Sequence, residues 1–413
     1  MAEDRSKAGP LAGVTVLDLS RVLAGPWATQ IMADLGAEVI KIERPGAGDD
    51  TRSWGPPFTT KADGTQGDAA YFSCCNRGKK SVTVDIAKPE GARIVRELAA
   101  KSDVLVENFK VGGLKKYGLD YPSLGAANPR LVYCSITGFG QTGPYAERAG
   151  YDYIVEGMGG LMSITGQPDG TPGGEPLRVG VAVADQFTGM YACNAVLAAL
   201  LHARATGQGQ HIDIALFDVQ AAMLGNQAAN WFVSGKVPRR TGNVQPNLAP
   251  YEVFPAQDRP MVIAVGNDGQ FRALARALGD EELGQDPRFL TNALRVANRP
   301  ALAERIAALT AMQSAAYWMD ALEAVGVACG PINTIDQVFE EPQALARELV
   351  ISQPRDDLAH PLRSVASPIR LSQTPVAYRS PPPALGADTE AVLGERLGLS
   401  ARDLASLRGG GLI

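Results

Sequence analysis

Val14-Thr-Val-Leu-Asp-Leu19, a helical stretch around Trp27 to Leu35, and Glu38-Val-Ile-Lys-Ile-Glu43 follow one another near the start of the chain. The outer two segments are short and mostly apolar, as strands buried on both faces are. The segment between them carries helix formers and no alternation. A strand, a helix and a second strand joined by short connections make a βαβ unit, which sets the two strands parallel. The pattern then repeats. Val82-Thr-Val-Asp85 reads as a strand, Pro89 to Lys101 as a helix with proline in its first turn, and Asp103-Val-Leu-Val-Glu107 and Leu131-Val-Tyr-Cys-Ser-Ile136 as further buried strands. The fold class is α/β with a largely parallel sheet.

Downstream, a glycine-rich tract runs from Gly157 through Gly174. Asp185 follows the apolar Val181-Ala-Val-Ala at an expected strand-to-helix junction, and Gln186 to Arg204 reads as a long helix stopped by Gly207. His211-Ile-Asp-Ile-Ala215 is a strand, and a second helix is expected from about Phe217 to Phe232. At Ser234 the composition turns basic and turn-rich, in Lys236-Val-Pro-Arg-Arg-Thr-Gly-Asn-Val-Gln-Pro, which marks a domain boundary. Residues 1–233 then form the larger domain and 234–335 a smaller α/β domain. The smaller domain has a strand at Met261–Val265 and helices at Phe271–Leu278, Arg299–Leu309 and Ala315–Val325. The segment 336–413 contains one more helical stretch, near Thr389 to Leu397.

At 413 residues, 45% hydrophobic and 20% charged, the chain has the composition of a globular protein too long for one ordinary core. A net charge of −5 gives no reason to expect nucleic acid or a membrane as partner. Five cysteines without metal-ligand spacing suit reduced thiols. Met1-Ala-Glu-Asp-Arg-Ser-Lys lacks the apolar core of a secretory leader. A cytoplasmic protein is expected.

The first turn, Arg21-Val-Leu-Ala-Gly25-Pro26, lacks the glycine spacing of a dinucleotide fold, and Gly46-Ala-Gly48 is followed by Thr51 where a third glycine belongs. No P-loop, G-x-S-x-G elbow or H-E-x-x-H is present. No permanently bound cofactor and no metal are expected. His202, His211 and His360 lie in no catalytic pattern, so carboxylates have to carry any chemistry. Asp185 is the leading candidate. On this stretch alone it reads first as the N-cap of the following helix, and only secondly as a covalent nucleophile toward an acyl or phosphoryl centre. The two are compatible, because a helix N-terminus favours the ionised carboxylate. Arg44, Asn108-Phe109, Gly138-Phe-Gly-Gln-Thr-Gly-Pro144 and Arg148-Ala-Gly-Tyr151-Asp152 fall at or after strand ends. Singly each fits a solvated or structural role; together they suit a phosphate-bearing ligand at the carboxyl edge of an open sheet.

Four stretches carry a resemblance: Pro10-Leu-x-Gly-Val-x-Val-Leu-Asp-Leu, Arg21-Val-Leu-Ala-Gly-Pro26, Asp34-Leu-Gly-Ala-Glu-Val-Ile-Lys-Ile-Glu-Arg44 and Val106-Glu-Asn-Phe109. The chain resembles the family III coenzyme A-transferases, which include formyl-CoA:oxalate and carnitine CoA-transferases, with the related 2-methylacyl-CoA racemases. Gly46-Ala-Gly-Asp-Asp-Thr-Arg-Ser-Trp-Gly-Pro-Pro57 and Cys134-Ser-Ile-Thr-Gly-Phe-Gly-Gln-Thr-Gly-Pro144 are most similar to the succinyl-CoA:glutarate (hydroxymethylglutarate) branch. The resemblance implies a Rossmann-like large domain built from both chain ends, so that 336–413 returns to it, and an interlocked homodimer. It implies a CoA thioester as substrate, a carboxylic acid as second substrate, and Asp185 as nucleophile forming aspartyl anhydride and aspartyl-CoA thioester intermediates.

Val22, Leu23 and Ala24 match the family's loop near the thioester. Arg44, Asn108, Phe109, Lys116, Arg148 and Tyr151 match positions contacting adenine, phosphates or pantetheine. Asp85 lies in a further CoA-contacting segment, where Ala87 replaces a lysine of oxalate-type members and Lys88 is a candidate substitute. Leu23 replaces the oxalate-type glutamine, which argues against oxalate. Gly242-Asn243 falls where those enzymes carry a glycine loop. Arg21, Arg52 and Arg178 are candidates for the distal carboxylate of a dicarboxylic acid, since guanidinium matches carboxylate geometry. Racemases carry a Gly-His-Asp motif where this chain has Gly150-Tyr151-Asp152, and a phenol, with a pKa of about 10, exchanges α-protons poorly. A CoA-binding protein without catalysis is the third reading.

Overall fold

The computed structural model describes residues 9–413. The N-terminal stretch lacking a leader's apolar core lies outside them. Among the described residues no helix is long and apolar enough to cross a membrane. The chain divides into two compact units, one of residues 9–161, 178–229 and 345–413, the other of residues 162–177 and 230–344. The stretch 234–335, expected as the smaller domain, lies within the second unit; the segment 345–413 belongs to the first.

The first unit is built on β1 (Thr15–Asp18), α1 (Ala24–Asp34), β2 (Glu38–Glu43), β3 (Lys79–Thr83), α2 (Pro89–Ala99), β4 (Val104–Glu107), β5 (Val132–Thr137), α3 (Asp152–Met158), α4 (Val183–Thr206) and β6 (His211–Ala215). The strands form one six-stranded sheet in the order β3-β2-β1-β4-β5-β6, and every pairing is parallel. The chain winds outward from β1 through β2 to β3, then crosses back to β4. The sheet thus has a switch point between β1 and β4, where loops leaving adjacent strands diverge and open a crevice.

Alternation along the strands sends Val16, Val104 and Val132 to one face, where they pack with Ala192, Val196, Ala199 and Ala203 of α4. Leu17, Leu105 and Tyr133 go to the other face, with Ile94, Val95 and Leu98 of α2. Near the chain end, α5 (Thr389–Leu397) adds Val392 and Leu393 to that second core. The chain end also covers the sheet's edge. The outward N–H groups of β3 at Ser81 and Thr83 donate to the Asp388 carboxylate at 2.8 Å and the Thr389 hydroxyl at 3.0 Å. On either side, Gly78 donates to Ser380 O and Asp85 to Leu412 O, both at 2.9 Å.

Three readings shift. The strand expected at Val82–Asp85 begins at Lys79, because Lys79 is buried against Asp18 and extends a strand that looks polar at its start. The helix expected over Phe217–Phe232 is two helices, Leu216–Met223 and Gly225–Ser234. They are broken where Gly225 takes φ +46°. No strand leads into Asp185; the residues before α4 are irregular.

The second unit holds a three-stranded antiparallel sheet of Tyr251–Pro255, Pro260–Ala264 and Ala328–Pro331. Its helices, including Asp268–Ala277, Arg299–Thr310 and Ala315–Glu323, surround a core of Phe254, Ile263, Phe271, Phe289 and Trp318. Arg295 is fully buried there, donating to the carbonyls of Ala249 and Phe289 and to Asp268.

Candidate active site

The switch point carries the site. The loop after β1 supplies Arg21–Ala24 and the loop after β4 supplies Asn108 and Phe109. Together with Arg148, Tyr151 and Asp185 they line a cleft of ≈ 190 Å³. A second, larger cleft of ≈ 490 Å³ is lined by Arg44, Asp85, Phe109 and Lys116, and shares Arg21, Phe109 and Lys110 with the first. Residues spread over more than a hundred positions thus meet along two adjoining openings at one sheet edge, room for a long ligand.

Asp185 sits in the first turn of α4, whose N-cap is Ala182. It is not the cap. That place is taken by Asp152, whose Oδ1 accepts from the backbone N–H groups of Ala184 at 2.8 Å and Asp185 at 3.3 Å. Asp185's own carboxylate is therefore not engaged in capping and lines the cleft. Its charge state also differs from the helix-dipole expectation. Burial first, and then the Asp152 charge, push the Asp185 carboxyl from 3.8 up to about 7. The helix N-terminus is already occupied by one carboxylate, so its field does little for a second. Glu156, fully buried one turn along α3 from Asp152, accepts from Val179 N–H at 2.9 Å. Burial, and then Asp152, raise it too. Burial and the Asp185 charge raise the Tyr71 phenol above its ordinary value.

Val22 has φ +70°, a left-handed conformation rare for a β-branched residue. Asn108 accepts from Arg21 N–H at 2.9 Å and donates to Arg21 O at 2.6 Å, so its amide ties the two loops together. Phe109 N–H donates to Glu107 at 2.7 Å, and the Arg21 guanidinium lies 5.4 Å from the Phe109 ring. Arg21 also meets Asp50 at 3.0 Å, both half-exposed, a pair that water and salt screen. Arg148 stacks on Tyr145 at 4.6 Å, and Tyr151 is exposed.

Other expected residues stand elsewhere. Arg52 is buried in a two-pronged pair with Glu43 (2.8 and 2.7 Å), meets Asp68 at 3.1 Å, and lies over the Phe72 ring. Arg178 is exposed, its guanidinium over the Tyr153 ring. Lys88 is committed to the carbonyls of Gly410 and Gly411 at 2.8 Å each. Gly242 and Asn243 belong to the second unit, where Gly242 N–H donates to Gly166 O at 3.0 Å. Among the described residues no cluster of His, Cys, Asp or Glu is arranged to hold a metal. Sequence reading missed Lys110, Tyr71 and the capping role of Asp152. A Gly-Tyr-Asp run opening a helix was the available signal for the last; nothing local marks the other two.

The model of a known family, described as CoA-transferase family III, matches residues 11–389. The chain belongs to this family. Among curated relatives of this family III CoA-transferase, the succinate–glutarate CoA-transferase of Agrobacterium fabrum is 51% identical over 96% of this chain and 98% of its own. The human succinyl-CoA:glutarate CoA-transferase is 42% identical over 99% of this chain and 91% of its own. A crystal structure of a CAIB/BAIF family protein from Brucella suis superposes with a TM-score of 0.83 at 49% identity, covering 94% of this chain and all (100%) of that one.

Proposed function

We propose that this enzyme moves coenzyme A from succinyl-CoA, or a similar short acyl-CoA, to a dicarboxylic acid such as glutarate or hydroxymethylglutarate, with Asp185 as the covalent nucleophile. The observation that carries the reading is the uncommitted Asp185 carboxylate in the same cleft as Val22, Leu23, Ala24, Asn108 and Phe109. The named activities of the similar enzymes support the choice of acids.

Ionised Asp185 attacks the thioester carbonyl. The C–S bond breaks, CoA leaves as the thiolate, and an aspartyl mixed anhydride remains. The thiolate attacks the aspartyl carbonyl, the anhydride C–O bond breaks, and succinate departs from an aspartyl-CoA thioester. The acceptor carboxylate then attacks that thioester, giving a new mixed anhydride and thiolate. Thiolate attack on the acceptor's own carbonyl yields the new acyl-CoA and regenerates Asp185. Each step exchanges one activated acyl bond for another of similar energy, so no external driving force is required.

We assign Arg44 and Lys116 to the nucleotide end of CoA, with Asp85 in the same cleft. Phe109 bridges toward the pantetheine arm, and Arg148 and Tyr151 line the catalytic end. Of the three arginines considered for the distal carboxylate, Arg52 is consumed by Glu43 and Asp68, which leaves Arg21 and Arg178. We also propose a homodimer. Phe187, Met190, Tyr191 and Leu201 of α4, with Tyr153, Ile154 and Met158 of α3, are exposed large apolar side chains that a second copy would cover.

The test incubates wild type and Asp185→Ala with succinyl-CoA and a panel of carboxylic acids, reading new acyl-CoA by mass spectrometry. Loss of exchange in the variant, and a hydroxylamine- or borohydride-trapped adduct mapped to Asp185 in wild type, are expected. Wild-type turnover by Asp185→Ala would sink the nucleophile. CoA binding without exchange across the panel would favour a non-catalytic CoA-binding protein. Exchange of an α-proton on 2-methylacyl-CoA in D₂O would favour the racemase.

A further inference from the structure

In the wall of the second, larger cleft lies a group of buried charges to which the chemistry above gives no part. Lys41 is fully buried, and its Nζ meets Asp49 Oδ2, also buried, at 2.8 Å. Taking an ammonium and a carboxylate out of water is costly, and a buried pair is weak evidence of stabilisation, so its placement has to be explained by what it holds.

It holds the loop that carries Val22. Lys41 Nζ donates to Ser20 O at 2.8 Å, and Asp49 Oδ1 accepts from Val22 N–H at 3.3 Å. The two charges therefore grip the chain on either side of Arg21. The remaining groups of this stretch are fixed as well. Ser20 N–H donates to Asp18 Oδ1 at 2.9 Å, Asn108 takes both Arg21 N–H and Arg21 O, and Val22 O accepts from the Cys75 thiol at 3.7 Å. All six backbone polar groups from Ser20 to Val22 have partners. A β-branched residue at φ +70° persists only where its surroundings over-determine it, and here they do.

We propose that the Lys41–Asp49 ion pair is a positioning device, holding Val22 in its left-handed conformation so that Leu23 and Ala24 face the cleft containing Asp185. The proposal rests on the transferase reading only for what the loop serves. Asp49 itself is anchored by Thr51, whose N–H and hydroxyl reach Oδ1 at 3.0 and 2.7 Å, and by its own N–H to Glu43 at 2.9 Å. The clamp thus stands on a frame of the protein's own hydrogen bonds. Without the ion pair, the valine relaxes toward negative φ and swings the start of α1 away from the nucleophile.

The test uses three variants: Asp49→Asn, Val22→Gly and the double. Glycine adopts φ +70° without a Cβ penalty, so it removes the need for the clamp. Asp49→Asn is expected to lower kcat at least about tenfold with KM for acyl-CoA changed less than about threefold, and Val22→Gly in the same protein to recover at least about threefold of the loss. An Asp49→Asn enzyme within threefold of wild-type kcat, or a double variant no better than the single, overturns the proposal. Should Asp49→Asn not accumulate as folded protein, recovery of soluble protein in the double variant supports the clamp and its failure overturns it. If wild type transfers no CoA, the transferase reading falls instead. The clamp is then judged by melting temperatures: a rise on adding Val22→Gly to Asp49→Asn supports it, and no rise overturns it.

Discussion

Replacing Asp185 by asparagine separates the chemistry of the site from its cost to the fold. Asparagine keeps the shape of the side chain and removes the charge that burial and Asp152 disfavour. The wild-type carboxyl titrates at about 7 in the folded protein against 3.8 when unhindered. The folded state thus prefers the protonated form. Its contribution is whole below 3.8 and is lost as pH rises through about 7. Between pH 5 and pH 8 the loss spans about two pH units, a ceiling of about 3 kcal/mol at 1.36 kcal/mol each. Asp185 is partly open to the cleft, and solvent screening reduces this to about 1 kcal/mol. Urea unfolding of both proteins at pH 5 and pH 8 is the assay. Asp185→Asn, inactive in exchange, should gain about 1 kcal/mol on wild type between the two pH values, with the gain levelling off above pH 7. An equal difference at both, or a wild type that gains on the variant at pH 8, refutes the charge argument.

Three further outcomes follow from the same geometry. Asp152→Asn keeps an oxygen for the Ala184 and Asp185 N–H groups but removes the like charge, so Asp185 ionises more easily. The acid limb of kcat/KM should move to lower pH by about half a unit or more, and a shift toward alkali would contradict it. Arg52→Met leaves Glu43 buried beside Asp68 without its guanidinium; unfolding free energy should fall by about 3–5 kcal/mol, while the KM for acyl-CoA of the protein that folds stays near wild type. Phe109→Ala strips the ring shared by both clefts; KM for acyl-CoA should rise about tenfold, equivalent to about 1.4 kcal/mol, with kcat less affected.

The parallel sheet was legible because β1, β4 and β5 are short, largely apolar runs buried on both faces, and β2 and β6 fall on the residues read for them. Helix α5 is likewise where its pattern put it, at Thr389–Leu397. The start of β3 was hidden because Lys79 and Lys80 look like solvated residues, and only the distant Asp18 explains a buried lysine there. The same blindness affects the site. Val22 to Ala24, Asn108, Phe109 and Asp185 stand in one cleft, and local sequence with the family pattern singled them out. The cap at Asp185 was misplaced because an aspartate ahead of a helical pattern has the right chemistry, yet the helix begins at Val183, and Asp152, 33 residues before Asp185, takes the N–H groups of Ala184 and of Asp185 itself. Arg52 looked available for a substrate because nothing in its neighbourhood announces Glu43 and Asp68 as partners.

The seal that the C-terminal segment lays along β3 has a consequence for how the protein is made. Thr83 and the threonine that covers it are 306 residues apart. At a synthesis rate of about 5–20 residues per second, the covering residues emerge about 15–60 s after the strand. Throughout that interval the growing chain presents a row of unpaired strand N–H groups, the kind of edge that recruits other chains. The second unit, residues 230–344 with 162–177, is synthesised in full during the wait. The burden on cellular folding factors therefore falls on the long-exposed margin of the first unit, and a chain cut short before Asp388 should be lost to aggregation although the loops that line the cleft have all been made.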